Sequence, residues 1–105
     1  VTVRKGCTVK NSIIFSGTYI DENTNLDTMI IDKGVYVGKN SILGYGDDFS
    51  ANHEKPDLLS RGISVVGKKA ILPDGSIVGR NVRIFGGVKL HDGNKFVHSG
   101  ETIKG

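Results

Sequence analysis

Four cations close together in this chain, Lys68, Lys69, Arg80 and Arg83, have the chemistry to hold an anion. Ammonium and guanidinium groups grip phosphate or sulfate oxygens by charge-assisted hydrogen bonds, and grip best when several converge. Their competing role is ordinary solvation on a protein surface. The three histidines are His53, His91 and His98. His53 stands in a polar stretch beside Asn52, Glu54 and Lys55, where a loop imidazole is placed to act as general base. A zinc site needs converging imidazoles, and nothing in the spacing brings His53 to His91 or His98. Asp47, Asp48, Glu54 and Asp57 read as a solvated acidic loop before a divalent-metal site. The one cysteine, Cys7, excludes an internal disulfide; it reads as a small buried apolar residue of a protein from a reducing compartment. No catalytic residue and no metal ligand is assigned.

The elements that must position these side chains are set by a period of six. Val66, Leu72, Val78, Ile84 and Leu90 recur at six-residue steps. Two places before the last four stand Ala70, Ser76, Val82 and Val88, all small or β-branched. Gly67, Pro73 and Gly79 follow their anchors as turn formers. Earlier, Val3, Val9, Phe15, Ile20, Leu26, Ile31, Val37 and Leu43 repeat the pattern, with five-residue steps from Phe15 to Ile20 and from Leu26 to Ile31. Gly38 and Gly44 follow their anchors, and Cys7, Ile13, Thr24, Val35 and Ser41 take the small position.

A helix needs a period of 3.6 and a flat half-buried strand a period of two. Six fits a short strand that turns a corner and points its next aliphatic inward. Three such sides make a coil of about 18 residues, the parallel β-helix of hexapeptide repeats. One coil cannot bury its apolar face, so coils stack. The expectation is an all-β, single-stranded parallel β-helix of about five coils. Coils run through residues 1–43 and 63–90. A polar loop over 44–62, containing Pro56, is ejected from a corner, with Phe49, Leu58 and Leu59 to pin it. Residues 91–105 lose the period, and Phe96, Val97 and Ile103 are expected to form a capping strand.

Composition agrees. Among 105 residues there are 15 glycines, two prolines and no tryptophan, and valine and isoleucine dominate the aliphatics. The net charge of +3 is a mild excess with no basic run interleaved with aromatics, which argues against nucleic acid. No apolar run is long enough for a membrane span or a signal peptide. The first residue is Val1, which suggests a piece of a longer polypeptide.

Residues 61–84, RGISVVGKKAILPDGSIVGRNVRI, resemble the C-terminal β-helix of glucose-1-phosphate adenylyltransferases and related sugar nucleotidyltransferases. The matching positions are Gly62, Ile63, Lys68, Ala70, Ile71, Leu72, Pro73 and Gly75. The Asn11-Ser12 pair, Val37 to Asn40, and Lys55-Pro56-Asp57 in the loop add to the likeness. The resemblance implies left-handed winding and a cytoplasmic enzyme of glycogen biosynthesis that joins a nucleoside triphosphate and a sugar 1-phosphate, with Mg, to give nucleotide-sugar and diphosphate. It also implies that the catalytic half is an N-terminal domain not contained in this chain, whose glycines fall at coil corners. This β-helix is then a non-catalytic module. Its partners are the catalytic domain, further subunits of a homo-oligomer, and an anionic effector, either a phosphorylated metabolite or phosphate. Lys68 matches a lysine with which such enzymes bind an anionic activator. Arg61 departs from the pattern, where plant members usually have serine. The rival expectation is a stand-alone hexapeptide-repeat acyltransferase with an acyl-CoA donor and His53 as base.

Overall fold

A computed structural model describes residues 1–104; Gly105, the last residue of the expected cap, lies outside the described residues. The chain winds through short strands separated by corners. The first coil holds β1 (Thr2–Val3), β2 (Thr8–Lys10) and β3 (Ile13–Ile14). The second holds β4 (Tyr19–Ile20), β5 (Asn25–Asp27) and β6 (Met29–Ile31). The third holds β7 (Tyr36–Val37), β8 (Ile42–Leu43) and β9 (Ser64–Val66). The fourth holds β10 (Ile71–Leu72), β11 (Ile77–Val78) and β12 (Arg83–Ile84). The fifth holds a bridge at Lys89, then β13 (Phe96–Val97) and β14 (Thr102–Ile103). Like strands stack into three parallel sheets, ordered β1-β4-β7-β10, β2-β5-β8-β11-β13 and β3-β6-β9-β12-β14. The architecture is a left-handed β-solenoid, as expected.

Each coil lays its aliphatics on those of the next. Ile20 pairs with Val37, Leu26 with Leu43, Ile31 with Val66, and Val37 with Leu72. All of these side chains are buried in one core with Val78, Ile84, Leu90 and Val97. The structure corrects one anchor. Ile14, not Phe15, pairs with Ile31, and Phe15 is exposed. The five-residue steps therefore fall at one corner in both coils, between β2 and β3 and between β5 and β6. That corner is a residue short, so it resets the inward phase and gives a coil of 17 residues, the spacing of Ser12 and Met29. The fourth coil restores that residue, and Ser64 and Val82 are 18 apart. Ile13, assigned to the small position, points outward and is exposed. Ser12 takes that position instead, and its hydroxyl accepts the Met29 N–H at 3.1 Å.

The small polar residues inside are satisfied by the winding itself. Thr24 donates to the Gly38 carbonyl, Ser64 to Gly79 and Ser76 to Pro73. Ser64 also accepts the Val82 N–H one coil later, and Ser41 accepts that of Ser76. A short hydroxyl fills a narrow column without leaving a polar group unpaired.

The expected C-terminal cap is two strands rather than one, and they complete a regular fifth coil. Val97 pairs with Val78 and Ile103 with Ile84, in register with the coils before. The loop leaves at the corner between β8 and β9, as expected, but its fastening differs. Leu59 is buried, whereas Leu58 is exposed. Two buried asparagines staple the loop. Asn81 donates to the Phe49 and Ser50 carbonyls and accepts the Gly62 N–H at 2.7 Å. Asn52 donates to the Asn81 and Glu101 carbonyls and accepts from Glu54, Lys55 and Thr102.

Val78→Asp puts an unpaired charge into the sealed column and is expected to cost more than about 4 kcal/mol; an unchanged melting midpoint would refute the inward assignment. Asn81→Ala orphans three loop groups and is expected to cost about 2–4 kcal/mol. Limited proteolysis checks it, with cleavage within 44–62 becoming faster than in the parent sequence.

Candidate functional site

The corners between the third and first faces set the candidate site. The backbone here stacks corner on corner: Gly34 N–H donates to Ser16 O, Lys69 N–H to Lys33 O, and Gly87 N–H to Lys68 O. In this register Lys33 and Lys68 occupy the same position in consecutive coils, each two residues after its inward aliphatic, Ile31 or Val66. Neighbouring strands of a sheet lie about 4.8 Å apart, so the two lysine stems rise from adjacent floors of one edge. Lys69 takes the next position, where the neighbouring coils carry Gly17, Gly34 and Gly87. All four have positive φ, and Lys69 adopts it at +63°. A lysine in this left-handed conformation is strained relative to glycine. Its corner already has the geometry that three glycines satisfy, so here a cation stands where conformation alone favours none.

Lys33, Lys68 and Lys69 are exposed, and among the described residues none of them forms an ion pair. Asp32 is the acidic neighbour, and its Oδ1 accepts the Lys33 backbone N–H at 2.7 Å. The result is an edge of three free ammonium groups on two coils. Sequence reading identified Lys68 and Lys69 and missed Lys33. The signal was available: Lys33 follows Ile31 at the offset by which Lys68 follows Val66.

Arg80 and Arg83 lie elsewhere. Arg80 sits at the corner between the second and third faces, where it clamps the loop. Its guanidinium donates to Asp27 Oδ2 at 3.2 Å and to the Gly46 carbonyl at 3.0 Å, and lies 4.9 Å from the Phe49 ring centroid. The Asp27 carboxyl is held below the usual carboxylate range, first by the Thr28 hydroxyl and then by Arg80, against the opposing effect of burial. Arg83 lies on the outer face of β12, over the Phe85 ring at 4.5 Å. It flanks a groove of about 290 Å³ floored by Ile30 and Val65 and overhung by Lys55, Leu58, Leu59 and Ile63. The four predicted cations thus do not converge on one point.

The histidines are also dispersed. His53 rides on the loop and donates its backbone N–H to Gly100 O. His91 Nδ1 accepts the Gly93 N–H, and His98 lies against Phe96 at 4.7 Å. Among the described residues no three His, Cys, Asp or Glu side chains group to hold a metal. The acidic loop is likewise spread out: Asp48 caps Ser50, whose hydroxyl and then N–H lower its pKa, and Glu54 pairs with Lys104 at 2.9 Å. Cys7 is half-buried and donates to Asp21 O. Among the described residues no helix is long and apolar enough to cross a membrane.

A family model described as GlmU-like, C-terminal hexapeptide, matches residues 1–66. The chain is similar to a glucose-1-phosphate adenylyltransferase of Thermomicrobium roseum, 42% identical over 95 residues that cover 90% of this chain and 22% of that protein. It is similar to one from Acetivibrio thermocellus, 37% identical over 110 residues that cover 97% and 26% respectively. A third, from Pseudothermotoga lettingae, is 33% identical over 123 residues that cover 96% and 29%. The chain therefore spans about a quarter of the length of these curated relatives. No solved structure matches it significantly. Five stacked coils of hexapeptide repeats and the match over residues 1–66 place the chain in the GlmU-like C-terminal hexapeptide family, as a β-helix domain related to that of glucose-1-phosphate adenylyltransferases.

Proposed function

We propose that this β-helix is the regulatory and assembly domain of a glucose-1-phosphate adenylyltransferase-like enzyme, and that its lysine edge holds an anionic phosphorylated effector. The observation that carries the reading is the stacking of Lys33 on Lys68 and Lys69 at one edge, free of carboxylate partners among the described residues. Three ammonium groups on adjacent floors can surround a phosphate from two sides, each as a mobile point charge. Arg83, on the neighbouring face, is available to a longer ligand that runs from the edge toward the groove. Arg80 stands at a different corner, and its charge is already engaged by Asp27 and the loop.

The parent reaction joins a nucleoside triphosphate to a sugar 1-phosphate with release of diphosphate. Its nucleotide and Mg do not fit the described residues, which offer no metal-ligating group of three and no helix preceded by a glycine-rich loop. Those ligands belong to an N-terminal catalytic domain in this reading, and the β-helix joins that domain and further subunits. Coupling requires that the anion bind more tightly to one arrangement of the two domains than to another.

Inorganic phosphate is expected to raise the melting midpoint of the protein. Lys68→Ala and Lys33→Ala should each weaken phosphate binding about three- to tenfold, while Lys89→Ala on the first face leaves it unchanged. Absence of any phosphate-dependent shift, or equal loss in all three variants, would overturn the edge as an anion site. Saturable acetyl-CoA binding that disappears in His53→Ala would support the acyltransferase reading instead.

The clamp at the corner between the second and third faces makes stability acid-sensitive. Asp27 and Asp21 both have lowered pKa values, Asp21 chiefly through the Glu22 N–H. A lowered folded pKa gives stability that is present above the ordinary carboxylate value of about 4 and is lost as pH falls through the depressed value. Thermal midpoints should therefore drop on acidification below about pH 4. Asp27→Asn should start lower at neutral pH and drop less; an identical pH slope would refute the contribution of Asp27.

A further inference from the structure

The third face carries aliphatics outward as well as inward. In register, Ile13 lies beside Ile30, Ile30 beside Val65, and Val65 beside Arg83. These residues alternate along their strands with the core residues Ile14, Ile31, Val66 and Ile84, so they point away from the core. Neighbouring strands lie about 4.8 Å apart, so an apolar stripe of about 10 Å runs along the solenoid axis and gives way to Arg83 one floor further on. The winding itself does not demand this, since the first two floors of the second face carry Thr8 and Asn25 at the equivalent outward positions. The loop walls the stripe and makes it a groove. Leu58 overhangs it at 74% exposure, more than any other large apolar side chain among the described residues. Lys55 and Arg83 both line the groove, and among the described residues neither forms an ion pair. Arg83 packs over the Phe85 ring, which steadies the guanidinium without neutralising it.

We propose that this groove binds a small amphiphilic anion, an aliphatic chain ending in a carboxylate. The chain lies along Ile30 and Val65 beneath Leu58, and the carboxylate is held by Arg83, with Lys55 adding positive charge at the rim. Size and charge select this occupant. A volume of about 290 Å³ is at the small end of ligand pockets, and an apolar lining with few polar groups is what such pockets share. No carboxylate is among the lining residues, so an anion meets only complementary charge. A sugar phosphate would press its hydroxyls against aliphatic carbon, and a neutral hydrocarbon would leave both cations unanswered. The inference goes beyond the effector reading and stands without it, because the groove and the lysine edge use different residues.

Calorimetric titration of the intact natural protein with decanoate, below its micellar concentration, tests this. Saturable binding is expected, with affinity rising about two- to fourfold per methylene from hexanoate through octanoate to decanoate. Decanol should bind at least about tenfold more weakly than decanoate, and Arg83→Gln should remove most of that difference. Leu58→Ser, at a side chain already exposed, should weaken both ligands about three- to tenfold without moving the melting midpoint. Inorganic phosphate should not displace decanoate. Absence of saturable binding would overturn the groove as a ligand site, which is also the result expected if another part of the protein covers it. Decanoate affinity unchanged in both variants, or displacement by phosphate, would put the ligand elsewhere and overturn the proposal equally.

Discussion

Everything in this molecule depends on the closure of a coil in a nearly constant number of residues, 17 in the first two and 18 where Ser64 meets Val82. Closure puts each residue above its counterpart. One parallel hydrogen-bond register then serves all three faces, and one inward aliphatic per side is enough to build a continuous core. The corners are where this is enforced. A left-handed residue recurs at fixed positions, through Gly17, Gly34, Lys69 and Gly87 on one edge. A residue added to a side would move every later aliphatic out of the column.

The same constraint explains how a loop of this length is tolerated. The coil resumes at Ser64 in the register it left at Leu43, so the insertion costs the stack nothing provided its exit and return are fastened. Asn52 and Asn81 do the fastening from buried positions, and Arg80 braces the exit between Asp27 and Phe49. Fully satisfied buried amides of this kind specify one loop path, and truncating any of them leaves partners unpaired. Arg80 is therefore a loop clamp whose charge is unavailable to a ligand, although nothing in its local sequence separates it from Lys68.

Stacking also makes an array out of repetition. A lysine at one corner is a solvated charge. Lysines at the same corner of consecutive coils form a linear array with the spacing of the sheet, close enough for one anion to feel several of them. An edge built this way is rigid along the axis and open to solvent.

The period of six, the loop's position and most inward residues were legible in the sequence, because a solenoid core repeats at a fixed interval and each turn reports the same burial. Val66 to Leu90 could be read without structure for that reason. The phase slip at Ile14, the outward Ile13 and the fifth coil could not, since a shortened corner and the 19-residue spacing of Arg80 and Ser99 break a strict count. The cations divide in the same way. Sequence supplied Lys68, Lys69, Arg80 and Arg83 as candidates by type. Only the stacked backbone separated an edge of Lys33, Lys68 and Lys69 from a clamp at Arg80 and a face at Arg83, because which charges meet is set by register between coils, not by distance along the chain.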